Sequence, residues 1–227
     1  MQGRLCIVLK AIIFDFDGTL ADTLPICFYA FQSVFKHFDG RDLSAEEIKQ
    51  MFGPSETGII RENLLSADKE LAIELFYHSY LEKHSDFVKR VLEIDDLLLD
   101  IKARGLMLGV VTGKARRSLD ISLKQLEMDN LFDVIITGDD VIQPKPHPEG
   151  LLKAIQFLGV DKEDTIFVGD SDADILAGKQ AEVVTAGVQW LPNYDALEFT
   201  VAPDRIFNSV QDLTETLFRK SSIRGSV

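Results

Sequence analysis

The 227-residue chain is poor in cysteine, in basic charge and in proline. Its two cysteines, Cys6 and Cys27, form no Cys-x-x-Cys pair and no cluster with histidine. That excludes a thiolate metal site. Both lie in apolar surroundings and read as buried, inert thiols, so a cytoplasmic protein is expected. The four histidines, His37, His78, His84 and His147, have no metal-ligand spacing, and the first three read as surface or packing residues. Lys and Arg number 24 against 37 Asp and Glu, a formal net charge of −13. Such a surface repels nucleic acid and anionic membranes, so neither is expected as a partner. It repels anionic substrates too, unless the site carries a metal ion and local cations. No long apolar run is present. Lys10 interrupts the N-terminal apolar stretch and no small-residue cleavage site follows, so neither a signal peptide nor a spanning helix is expected.

What is present is a core's worth of apolar residues, 46% of the chain, without internal repeats or low-complexity segments. Extensive disorder is not expected from such a composition. Short β-branched runs alternate with amphipathic stretches. The runs are Ala11–Phe14, Leu106–Val111, Phe132–Ile136, Thr165–Val168 and Val183–Ala186. Strands buried on both faces look like this. Helices are predicted over about 95–104, 115–126, 148–158 and 173–180, with Gly105 and Gly159 as C-terminal stops. Ser209 is expected to cap a last helix running to about Arg219, with a frayed tail from about Ser221. Alternation of this kind predicts a parallel, doubly wound sheet.

The interval 21–91 differs, because it holds no convincing strand. Phe28, Phe31 and Phe35 recur at helical spacing, Ser44-Ala45-Glu46-Glu47 has the form of a capping box, and Asp68 to His84 reads as a long helix. The expected architecture is therefore α/β: a doubly wound parallel-sheet (Rossmann-like) core, 1–20 with 92–227, and an all-helical cap domain, 21–91, inserted after the first strand.

Four polar motifs fall at the carboxyl ends of these strands, where such sheets bind ligands. The first is Asp15-Phe16-Asp17-Gly18-Thr19. In extended chain, residues two apart point the same way, so Asp15 and Asp17 can face one volume. Close carboxylates repel, which calls for a proton or a cation between them. Hard oxygen ligands favour Mg²⁺. The second motif, Thr112-Gly113-Lys114, places a hydroxyl and backbone N–H groups at a helix start, and also fits a plain strand–turn–helix junction. The third is Lys145, fixed among three of the chain's seven prolines in Pro144-Lys145-Pro146-His147-Pro148, where it can neutralise a phosphate or a carboxylate. The fourth is Gly169-Asp170-Ser171-Asp172-Ala173-Asp174, with more acids than capping needs. Four clustered carboxylates with a divalent cation and a lysine make a site hospitable to a phosphate group.

The order of these motifs resembles that of the haloacid dehalogenase-like phosphatase superfamily, from about Ala11 to Val188. The insertion looks like that family's helical cap, found in phosphoglycolate phosphatases and β-phosphoglucomutases. The resemblance implies that Asp15 attacks phosphorus and that Asp17 serves as general acid and then base. It implies that the Asp15 and Asp170 carboxylates and the Asp17 carbonyl hold Mg²⁺. Thr112 and the Gly113 backbone would grip phosphoryl oxygens, with Lys114 beside them. Lys145 would bridge nucleophile and phosphoryl group, Asp174 would support metal and lysine, and Gly18 and Thr19 would build the turn beside the nucleophile. The dehalogenase branch typically lacks the second aspartate, so dehalogenation is not expected. The segment Gly53-Pro54-Ser55-Glu56, after Phe52, resembles the substrate-facing cap loop and also fits an ordinary helix connector. Arg116 and Arg117 fit either a leaving-group contact or solvated helix charges. One departure is Ala181-Glu182, where many relatives read Ala-Gly. The implied substrate is a small phosphorylated metabolite, phosphoglycolate first and inorganic pyrophosphate second, the latter because Thr137–Val141 and the Lys-Pro region also resemble bacterial pyrophosphatases of this family. A phosphomutase and a non-enzymatic signalling domain are the rival readings.

Overall fold

The computed structural model describes residues 9–193 and 198–218. Cys6, Arg219 and the tail from Ser221 lie outside the described residues. Six parallel strands form one sheet in the order β3-β2-β1-β4-β5-β6. They are β1 (Ala11–Phe14), β2 (Met107–Val111), β3 (Val134–Ile136), β4 (Thr165–Gly169), β5 (Val184–Val188) and β6 (Arg205–Phe207). The order reverses between β1 and β4, the switch point where ligands bind in open parallel sheets. Every residue of β1 is fully buried. Ile12 and Phe14 join one apolar cluster while Ala11 and Ile13 join another on the opposite face. Strand alternation thus feeds two cores, which is the doubly wound arrangement the apolar runs predict.

Five helices lie between β1 and β2: α1 (Leu24–Asp39), α2 (Ala45–Lys49), α3 (Glu56–Asn63) and α4 (Lys69–Phe87), which make up the insertion, and then α5 (Leu92–Ala103). Phe31, Phe35, Phe76 and Tyr80 fill the contact between α1 and α4 and are fully buried. The capping box at Ser44 forms, with Glu47 accepting from the Ser44 N–H at 2.8 Å. The insertion does not stand clear of the core. α4 packs on α6 (Arg116–Gln125), and one continuous apolar cluster runs from Phe31 to Val110 and Leu119. Chain order is completed by α7 (Glu149–Leu158), α8 (Asp172–Gln180) and α9 (Val210–Phe218).

The sequence expectations differ at edges. α5 starts at Leu92 rather than Asp95. β3 starts at Val134 because Asp133 turns its carboxylate back to accept from the Leu108 N–H at 2.7 Å. β6 was not expected; it is three residues long and its Arg205 and Ile206 are exposed, so it carries no apolar run. Ser209 does accept from the Asp212 N–H at the start of α9. Gly105 and Gly159 stand at the ends of α5 and α7 with left-handed φ of 74° and 64°.

Candidate active site

The four motifs converge on one cavity of about 320 Å³, walled by the strand ends and by α1 and α3. Asp15 leaves β1 with its N–H donating to the Val168 carbonyl at 2.8 Å, which fixes it beside β4. Its side chain is buried. Lys145 Nζ lies 2.8 Å from Asp15 Oδ1 as a buried ion pair. Burial pushes the Asp15 carboxyl up to about 7 against the opposing pull of Lys145, and the charge of Asp174 adds to the rise.

Lys145 also reaches Asp174 Oδ1 at 2.6 Å. The other oxygen of Asp174 accepts from the Ser171 N–H at 3.0 Å and from its hydroxyl at 2.6 Å, closing a capping box at the start of α8. Both oxygens of this fully buried carboxylate are engaged. Asp170 is buried as well and accepts from Thr19 Oγ1 at 2.8 Å. Gly18 follows at φ 80°, and a Cβ there would come within 2.2 Å of Asp170 Oδ2, so only glycine lets the turn lie this close to the carboxylate. Trp190 Nε1 donates to the Thr19 carbonyl at 2.7 Å and holds the same turn from the far side. Trp190 carries no motif, and nothing in the sequence marks it.

Asp17 lines the same cavity but has different partners. Thr23 Oγ1 donates to it, and Lys114 Nζ lies 3.1 Å from its Oδ1. Lys114 has a fully buried side chain, 3.4 Å from Glu56 Oε1, with its ammonium 4.7 Å from the centre of the Tyr80 ring. Burial opposes that charge, yet Asp17 and the other anionic neighbours hold the Lys114 ammonium well above the usual lysine range. Lys114, expected at the phosphate, is thus occupied by two carboxylates. Cys27 is buried 3.3 Å from Lys114 Nζ, and burial pushes its thiol up to about 12, which fits an inert group.

The Thr112 hydroxyl accepts from the Lys114 N–H at 3.2 Å, and Gly113 faces open space in the cavity. The Gly138 turn buttresses this loop. Its N–H donates to the Lys114 carbonyl at 2.9 Å, and a Cβ at Gly138 would strike the Gly113 carbonyl at 2.3 Å. Of the insertion's loop, Gly53, Pro54 and Glu56 line the cavity, whereas Ser55 packs beside Gly138. Arg116 bonds Asp140 and the Ile135 carbonyl, and Arg117 pairs with Glu74, so neither guanidinium lines the cavity.

A metal ion can be tested against these residues. Asp15, Asp170 and Asp174 offer carboxylate oxygens within 4.8 Å of one another, all buried. Asp174 has both oxygens engaged by Lys145 and Ser171, so Asp15 and Asp170 are the carboxylates of this group that would hold a hard divalent cation, which such oxygen donors fit. The Asp17 carboxylate is not in this cluster. No helix among the described residues is long and apolar enough to cross a membrane.

The haloacid dehalogenase-like hydrolase family model matches residues 12–188. The chain belongs to this family of hydrolases. Within it, pyrophosphatase PpaX of Bacillus mycoides (strain KBAB4) is 31% identical over 211 residues, 93% of this chain and 98% of that protein. Among solved structures, a predicted phosphoglycolate phosphatase from Haemophilus somnus 129PT aligns with a TM-score of 0.79 at 24% identity, covering 92% of this chain and 98% of its own. CbbY from Rhodobacter sphaeroides, solved with phosphate, has the same TM-score at 23% identity, covering 90% of this chain and 96% of its own. These two likenesses concern the fold.

Proposed function

We propose that this enzyme is a Mg²⁺-dependent phosphatase that hydrolyses a small phosphate compound through an aspartyl-phosphate on Asp15. The observation that carries the reading is the environment of Asp15. Its carboxylate is buried in the cavity wall at the end of β1, with Lys145 Nζ 2.8 Å from its Oδ1. Such a carboxylate is oriented by a fixed cation and shielded from water, as a nucleophile needs to be.

In this mechanism Asp15 forms a bond to phosphorus as the bond from phosphorus to the leaving-group oxygen breaks. Asp17 donates a proton to that oxygen, then as carboxylate takes one from the water that cleaves the acyl phosphate. The Thr112 hydroxyl and Gly113 N–H serve the phosphoryl oxygens, and Lys145 offsets their charge. Mg²⁺ would be held by the Asp15 and Asp170 carboxylates and the Asp17 carbonyl, and would supply charge neutralisation between nucleophile and phosphoryl group. Asp174, with both oxygens engaged, supports Lys145 rather than binding the ion.

The cavity is at the small end of ligand sites, which favours a compact substrate over a protein. The near-full-length likeness to proteins named pyrophosphatase moves inorganic pyrophosphate ahead of phosphoglycolate as the substrate we propose. Phosphate release from pyrophosphate, phosphoglycolate and sugar phosphates, with Mg²⁺ or with EDTA, tests both parts. Mg²⁺-dependent release is expected, fastest from pyrophosphate. Release unaffected by EDTA would refute the metal assignment, and interconversion of sugar phosphates without net release would indicate a mutase.

A further inference from the structure

The helix α6 starts without a capping side chain of its own, because Ala115 stands at its N-cap. A helix start leaves backbone N–H groups that need acceptors. Two of them are met from distant carboxylates. Asp139 Oδ2 accepts from the Arg116 N–H at 2.8 Å, and Glu56 Oε2 accepts from the Ala115 N–H at 2.5 Å. Glu56 is the first residue of α3, in the inserted helices. Its other oxygen accepts from Ser118 Oγ at 2.5 Å and lies 3.4 Å from Lys114 Nζ. Glu56 is only 6% exposed. A carboxylate so buried is tolerable only when its oxygens are engaged, and these partners all lie across the boundary, on the core. Lys114 in turn sits 3.1 Å from Asp17.

We infer that Glu56 is a positioning residue, which docks the inserted helices on the start of α6 and, through Lys114, holds Asp17 in place for its proton transfers. The inference rests on the phosphatase reading for its catalytic half. Glu56 does not serve as a phosphate ligand, since its charge repels phosphate and both its oxygens are in use. Its place in the cavity wall therefore reflects the docking. The acid–base residue is held fully only while α3 is seated.

The test compares the full-length wild type with Glu56→Ala and Glu56→Gln, each first checked for folding by circular dichroism. The amide oxygen of Gln can still accept from the Ala115 N–H, and its NH2 can donate to Ser118 Oγ, but the side chain carries no charge for Lys114. In the Ala variant, backbone amides of the first turn of α6 should exchange hydrogen at least about tenfold faster, while those of β1 are unchanged. Its kcat should fall by about tenfold or more with KM within about threefold, the mark of a lost transition-state arrangement. The Gln variant should keep α6 protection and still lose kcat. Unchanged α6 exchange in the Ala variant would overturn the docking. Unchanged kcat, or a raised KM with kcat intact, would overturn the link to Asp17. Should the wild type release no phosphate from any substrate, the phosphatase reading fails, and the exchange result alone judges the docking.

Discussion

Two buried lysines divide this site, and each is held by two carboxylates. Lys145 lies between Asp15 and Asp174, all three supplied by the sheet and its own loops. Lys114 lies between Asp17 and Glu56, and Glu56 comes from the inserted helices. The same motif, Asp-x-Asp, feeds both pairs, one aspartate to each. The difference separates two tasks. The Lys145 side is complete within the core, and its two carboxylates belong, with Asp170, to the cluster suited to a cation. The Lys114 side is complete only with the insertion in contact, so the chemistry assigned to Asp17 depends on a boundary between two parts of the chain.

The largest effect that would sharpen this comparison is at Asp15 itself. Asp15→Asn should lower phosphate release by at least about a thousandfold, because it removes the carboxylate that attacks phosphorus. Next, Lys145→Met should cost roughly a hundredfold or more in kcat, since it removes a charge beside the reacting group. Lys114→Met should cost nearer tenfold, because its effect passes through Asp17. Steady-state kinetics on both variants check the ranking, and equal losses would break the distinction between the two lysines.

A smaller effect belongs to the boundary. His84 of α4 meets Ser122 of α6 at 3.0 Å, and the Tyr80 hydroxyl meets the same Ser122 at 2.8 Å. Burial, with the charge of Lys114, holds the His84 imidazole low, at about 4 against an ordinary 6.5. The unfolded chain therefore takes up a proton that the folded chain refuses between these values. Stability from this group is fully present above pH 6.5 and drains as pH falls towards 4. Thermal unfolding should show the Tm of the wild type dropping a few degrees more over that window than the Tm of His84→Gln. Parallel pH curves would show that His84 does not carry the boundary's acid sensitivity. The smallest change lies away from the site. Glu182 has a left-handed φ of 61°, a conformation that favours glycine. Glu182→Gly should leave activity unchanged and raise stability by up to about 1 kcal/mol, measured by urea denaturation.

Much of this was legible beforehand. The apolar runs ending in Asp15, Thr112 and Asp170 announced both the strands and the edge at which they meet, because burial on two faces forces a continuous apolar pattern. The helical insertion followed from the absence of such runs. What stayed hidden depends on distance in the chain. Asp15 and Asp17 alternate as a strand would, but the turn at Gly18 hands their carboxylates to different lysines. Glu56 reads in the sequence as part of a substrate-facing cap loop or a connector because its partners, Ala115 and Ser118, are about sixty residues away, and no local spacing encodes a helix capped from another region. Trp190 and β6 were missed for the same reason: each is held by tertiary contacts rather than by its own pattern.

The central claim is the covalent intermediate on Asp15. Enzyme quenched in acid during turnover, digested and weighed by mass spectrometry tests it most directly. The account predicts one added phosphoryl group on the peptide that contains Asp15, present with Mg²⁺, absent with EDTA and absent in Asp15→Asn. Full turnover with no phosphorylated peptide at any quench time, together with undiminished activity in Asp15→Asn, would contradict it.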